Sequence, residues 1–129
     1  MINISRLKEK LNNTCYNMVI LVNPNSPTGR FIYKKNLESL LSQISKNTLA
    51  WIDETYIEYM GAEQSLEHFA VQNRNVIVCK SMSKVYALSG LRSAYLCASP
   101  QLIRSLKKIS PPWAVSLPAQ LAAVTALQD

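Results

Sequence analysis

Residues 18–54, MVILVNPNSPTGRFIYKKNLESLLSQISKNTLAWIDE, decide the fold. They open on the apolar run 18-MVILV-22 and close on a second, 49-LAWI-52. Between the runs, Leu37, Leu40, Leu41 and Ile44 recur at i, i+3, i+4 and i+7, which draws one apolar stripe along a helix. Strand, helix and strand in one stretch predict a parallel pair joined by a right-handed crossover. The first run is continuous rather than alternating, as is 76-VIVC-79 further on. That pattern predicts strands buried on both faces.

Outward from this unit, a fourth run, 93-SAYLCA-98, follows a connection from 80 to 92 that is barely long enough for a crossover. Its Ser89-Gly90 turn signal predicts a last strand running antiparallel. Helical patterns cover 101–109 and 119–128, EHFAVQ (67–72) reads as a helix, and Ile4, Leu7 and Leu11 predict a short one at the start. The expected architecture is α/β, three-layered, around a mostly parallel sheet. With 129 residues, 48% of them hydrophobic, the chain fits one domain with a core of its own. No run approaches the roughly 18 apolar residues of a membrane span. MINISRLKEK lacks the apolar centre of a signal peptide, so the expected location is cytoplasmic.

The formal charge of +6 comes from scattered basic residues without an aromatic-interleaved patch or a nucleic-acid reader motif. It reads as a solvated surface, with phosphate-bearing ligands second and neither nucleic acid nor membrane as a partner. Cys15, Cys79 and Cys97 show no CxxC spacing, and two lie in apolar runs as small hydrophobes. Neither a disulfide framework nor a metal site is expected. Three dispersed glycines exclude a GxGxxG fingerprint or a Walker loop. His68, the single histidine, has no acid–base partner in the pattern and reads as structural.

In open parallel sheets, ligands bind outside the carboxyl ends of the strands. Here MVILV is followed by 23-NPNSPTG-29, LAWI by 53-DETY-56, and VIVC by 80-KSMSK-84. Each motif has a plain reading alone. NPNSPTG makes a tight turn, Asp53 a helix cap, Tyr56 a half-buried phenol and Lys84 a solvated amine. Delivered to one sheet edge, with Arg92 eight residues past Lys84, they form the set that a pyridoxal phosphate site needs. Such a site takes an amine for the aldehyde, a carboxylate for the ring nitrogen, and hydroxyls with an arginine fork for the phosphate.

NPNSPTG, DETY, and SMSK with GLR behind it resemble, in order and spacing, the core of the fold-type I pyridoxal-phosphate enzymes of the class I/II aminotransferase family. Within it the pattern is similar to histidinol-phosphate aminotransferases and to threonine-phosphate decarboxylases. The resemblance implies a pyridoxal 5′-phosphate cofactor held by Lys84 as a Schiff base. It implies Asp53 at the pyridine nitrogen, Tyr56 at the ring O3′, and Ser81, Ser83 and Arg92 at the phosphate, with Gly90 making the turn that returns Arg92. The family usually reads NPNNPTG, and its second asparagine of the pair also contacts O3′. Ser26 stands there instead and reaches O3′ only through a water or a shifted ring. The implied reaction is transamination of a small amino substrate, an amino acid or amino-alcohol phosphate, in a homodimeric enzyme. Decarboxylation of threonine phosphate is the alternative. Family members are much longer, so residues 1–129 are expected to be a single partial domain, the second half of the large domain. Two sheet edges are then left unpaired, and a catalytically incomplete piece is the competing expectation.

Overall fold

The computed structural model describes residues 3–128, in which four strands lie side by side in chain order. They are β1 (Met18–Val22), β2 (Leu49–Asp53), β3 (Val76–Ser81) and β4 (Ala94–Cys97). β1 and β2 run parallel with Val22 opposite Asp53, and β2 and β3 run parallel with Asp53 opposite Cys79. β4 returns antiparallel, Ser81 pairing with Ala94, as the short connection predicts. β1 and β4 are the edges of this sheet.

Helices α1 (Ile4–Asn13), α2 (Lys34–Leu41), α3 (Glu67–Gln72), α4 (Pro100–Ile109) and α5 (Leu117–Ala126) fall near where the periodicity puts them, but α2 ends at Leu41, so Ile44 of the predicted stripe joins the core from the turn beyond the helix. The starts of α1 and α5 follow capping chemistry. The Asn3 side chain accepts from the Arg6 N–H at 2.9 Å, and Ser116 caps α5 in the same way. Pro100 opens α4, at a position where a missing N–H costs nothing.

The main core lies on one face of the sheet. Ala50, Ile52, Val76 and Val78 pack there against Leu37, Leu40, Leu41 and Ile44 and against Leu66 and Ala70. Ile4, Leu7 and Leu11 of α1 add a partly buried fringe. β3 is buried on both faces, as its continuous run predicts. β1 is not. Met18 is 42% and Ile20 62% exposed, because an edge strand whose partner helices cover one face leaves the other bare.

The return from β3 to β4 also differs from expectation. Gly90 sits in a short 3₁₀ turn (Ser89–Leu91) without positive φ, while Ala87 (φ 55°) and Arg92 (φ 53°) take the left-handed conformation. Such a conformation costs a non-glycine residue about 1–2 kcal/mol, and it persists where the surroundings fix it. The Met82 N–H to Ser93 carbonyl bond (3.1 Å), directly beside Arg92, is one such restraint.

Leu37 is fully buried at the centre of the α2 stripe. Leu37→Ala is expected to lower the unfolding free energy by about 2–5 kcal/mol, read as an earlier urea midpoint with an unchanged slope.

Candidate functional site

The carboxyl ends of β1, β2 and β3 are laced together by hydrogen bonds. The Asn23 N–H donates to the Asp53 carbonyl (2.8 Å), the Glu54 N–H to the Cys79 carbonyl (2.9 Å), and the Ser81 N–H to Thr55 Oγ1 (3.3 Å). The buried Asn23 side chain grips Ile32 from both sides, donating to its carbonyl (2.9 Å) and accepting from its N–H (2.8 Å). This closes the NPNSPTG loop at its base. Inside the loop, Gly29 takes φ 64° while its N–H reaches the Asn25 carbonyl at 2.7 Å, the turn that these residues predict. Asn23-Pro24 and Ser26-Pro27 are cis.

Asp53 ends β2 on the face opposite Glu54. Its Oδ1 accepts from the Thr55 N–H (2.9 Å) and the Thr55 hydroxyl (2.6 Å), and Oδ2 accepts no hydrogen bond among the described residues. Ser81 Oγ and Ser83 Oγ lie 2.7 Å apart, and the Ser83 N–H points at Ser81 Oγ (3.3 Å). Asp53, Ser81 and Ser83 therefore belong to one hydrogen-bonded chain through Thr55. Ser26 and Tyr56 come together elsewhere on the same edge, around a cavity of about 360 Å³ shared with Asn25 and Tyr59. The Tyr56 and Tyr59 rings are nearly parallel there, with centroids 6.3 Å apart. Lys84 and Arg92 are exposed in the loop that leaves β3, and their side chains make no hydrogen bond among the described residues. The Met82–Ser93 bond continues the β3–β4 ladder, so Ser83 and Arg92 flank it at the two ends of the loop.

A second cluster, behind the first, is absent from the sequence reading. Lys80 is 4% exposed, and its ammonium lies 3.1 Å from Glu58 Oε1, 3.1 Å from Glu67 Oε1 and 4.0 Å from Glu54 Oε2. Glu54 is fully buried and also accepts from the Ser65 hydroxyl (2.6 Å) and the Leu66 N–H (2.8 Å). The Tyr95 hydroxyl donates to Glu67 (2.7 Å) and the Tyr86 hydroxyl to Glu58 (3.3 Å). Strand alternation was the available signal: Val76, Val78 and Lys80 share the core face, and a cation there needs acids. Burial raises the Glu54 carboxyl above its ordinary range against the pull of its hydrogen bonds and of Lys80. Burial works against the Lys80 ammonium, but its bonds to Glu58 and Glu67 outweigh that and raise it. Burial and the adjacent glutamates raise Tyr86 and Tyr95, and burial with Asp53 nearby raises Cys79.

Cys15, Cys79 and Cys97 are free thiols. Among the described residues, no three His, Cys, Asp or Glu side chains are placed to hold a metal ion, and no helix is long and apolar enough to cross a membrane.

The donor set at the upper edge offers a carboxylate with one oxygen free of hydrogen bonds, paired hydroxyls, an amine and a guanidinium. That chemistry fits a phosphorylated pyridine aldehyde. Residues 2–129 match the family described as aminotransferase class I and II. The chain belongs to that family. A histidinol-phosphate aminotransferase of Moorella thermoacetica is 40% identical over 115 residues, 87% of this chain and 30% of that protein. The histidinol-phosphate aminotransferase of Sinorhizobium meliloti, solved in complex with pyridoxal-5′-phosphate, superposes with a TM-score of 0.87 at 26% identity, over 98% of this chain and 35% of that one. The L-threonine-O-3-phosphate decarboxylase of Porphyromonas gingivalis gives a TM-score of 0.77 at 28% identity, over 87% and 36%. The chain thus spans about a third of the length of these class I and II relatives. The mixed sheet with its antiparallel last strand is the arrangement it shares with its solved neighbours.

The buried cluster sets a pH dependence. Lys80, Tyr86 and Tyr95 are all raised from ordinary values of 10.5, 10.0 and 10.0, and Cys79 from 9.0. Folding therefore favours their protonated forms. The stability they contribute is complete below those ordinary values and lost as pH rises through the raised ones. Urea midpoints recorded from pH 7 to 11 are expected to fall once the pH passes about 9–10. At pH 7, Lys80→Ala strands three carboxylates and is expected to cost about 3–5 kcal/mol.

Proposed function

We propose that the protein is a pyridoxal 5′-phosphate-dependent aminotransferase acting on an amino-alcohol phosphate of the histidinol-phosphate kind, and that this chain carries the lysine side of the cofactor site. One observation carries the reading. The ends of two adjacent strands, β2 and β3, bring a hydrogen-bonded carboxylate and paired serine hydroxyls to one edge, and the loop leaving that edge holds an exposed amine and a guanidinium. The names of the relatives supply the substrate class.

When bound, pyridoxal 5′-phosphate supplies an aldehyde that condenses with amines and a protonated ring that draws electrons from a bond breaking at the substrate Cα. The chain's own residues divide the remaining work. Lys84 Nζ would hold the aldehyde and, once released, would carry the proton from the substrate Cα to the former aldehyde carbon. Asp53, through Oδ2, would hold a proton on the ring nitrogen by its negative charge. The Tyr56 hydroxyl would donate to the ring O3′, with Ser26 beside it on the same cavity. Ser81 and Ser83 would present hydroxyls to the phosphate, and Arg92 would offer it a guanidinium fork.

Residues 1–129 then correspond to the second half of the family's large domain, in a cytoplasmic homodimer whose other segments complete the pocket. Threonine phosphate decarboxylation uses the same residues, and the fold shared with the P. gingivalis enzyme favours it as the second reading.

The site is tested by mixing the chain with pyridoxal 5′-phosphate, reducing with borohydride and mapping the labelled peptide. The label is expected on Lys84 and is expected to disappear in Lys84→Ala. A label spread over surface lysines, unchanged by that substitution, would sink the assignment. With histidinol phosphate and threonine phosphate as substrates, a keto product from the former supports transamination. Carbon dioxide release from the latter replaces it with the second reading.

A further inference from the structure

Resting on the cofactor reading above, we propose that Thr55 is a positioning residue. Its hydroxyl bridges the carboxylate assigned to the ring nitrogen and the strand end assigned to the phosphate, and so fixes the distance between them.

A hydroxyl has one proton to donate and two lone pairs to accept. Thr55 Oγ1 lies 2.6 Å from Asp53 Oδ1 and 3.3 Å from the Ser81 nitrogen. An ionised carboxylate can only accept and a backbone N–H can only donate, so both directions are settled by chemistry. The Thr55 proton goes to Asp53, and the Ser81 proton comes to Thr55. Donating to a charged group makes Oγ1 a better acceptor, so each bond strengthens the other. The chain continues from Ser81 to Ser83 at 2.7 Å.

Two consequences follow for the site. Oδ1 already carries two donors, the Thr55 N–H at 2.9 Å and its hydroxyl, which hold the carboxylate in one rotamer. Oδ2 is left as the oxygen that meets the ring nitrogen. The parallel β2–β3 ladder ends at Asp53 opposite Cys79, so beyond it Thr55 is the side chain that ties the DETY turn to the SMSK loop on this face. Among the described residues no other side chain donates to the Asp53 carboxylate. Without the hydroxyl, Asp53 keeps a single backbone donor and the Ser81 N–H loses its partner.

Valine copies the shape of threonine without the hydroxyl, and serine keeps the hydroxyl without the methyl group. Thr55→Val and Thr55→Ser are compared with wild type in two measurements on the 129-residue chain, with urea midpoints confirming that each is folded. Without cofactor, the Ser81 amide and Asp53 side-chain carboxyl resonances are expected to move in Thr55→Val and to stay near wild type in Thr55→Ser. With pyridoxal 5′-phosphate added, Thr55→Val is expected to bind about tenfold more weakly, as loss of a hydrogen bond to a charged group implies, and Thr55→Ser within about twofold of wild type. Resonances unmoved by valine, or equal weakening by serine and valine, overturn the proposal. A wild-type chain that takes up no cofactor overturns cofactor binding by residues 1–129 instead, and the resonances alone then decide whether Thr55 bridges the two strand ends.

Discussion

A single buried ammonium organises this structure. Lys80 sits on the core face of β3, in line with Val76 and Val78, where a lone charge would be prohibitively costly. Its cost is offset by carboxylates drawn from three places. Glu54 comes from the end of β2, Glu58 from the turn after it, and Glu67 from α3. Tyr95 on β4 and Tyr86 in the returning loop add hydroxyls to the same acids. The turn after β2, helix α3, β4 and the returning loop are all tied to this one charge. Burial keeps the Glu54 carboxyl raised against its hydrogen bonds and Lys80, and the nearby Glu67 adds to the rise.

The two faces of the strand ends divide the work. Asp53 and Glu54 are adjacent in sequence, yet strand alternation sends them to opposite sides. Glu54 goes into the core to meet Lys80, and Asp53 goes to the edge to meet Thr55. Lys80 and Ser81 split in the same way. The structural cluster thus fixes the backbone from behind while the polar groups in front keep their hydrogen-bonding capacity. This arrangement suits a preorganised site, because the buried ion cluster carries the backbone on which the front groups are held by their own short bonds.

Much of this was legible from residue order. The periodicity of Leu37, Leu40, Leu41 and Ile44 placed α2, and the short connection behind Ser81 placed the antiparallel β4. The polar motifs after each apolar run do meet at one edge. What escaped the reading depends on facts that type and spacing do not carry. MVILV is as apolar as VIVC, but only the sheet order reveals that it is an edge strand with Ile20 bare. Gly90 was the natural candidate for a left-handed turn, whereas Ala87 and Arg92 take it under the restraint of the ladder beside them. Thr55 went unnoticed because a threonine between two acidic and aromatic landmarks shows its role only through its bonds.

The contrast between Lys80 and Lys84 bears on which lysine can do amine chemistry. They are four residues apart in one motif, and composition cannot rank them. Lys80 is enclosed by carboxylates that hold its proton, and a protonated ammonium has no lone pair with which to attack an aldehyde. Its position on the core face also leaves no room for a ligand to approach. Lys84 lies past the end of the strand, in the exposed loop next to Ser83. A fold that commits one lysine to neutralising its buried acids leaves the next at the strand mouth as the amine that chemistry can reach. The pairing of a spent cation behind with an accessible one in front supports Lys84 as the anchor.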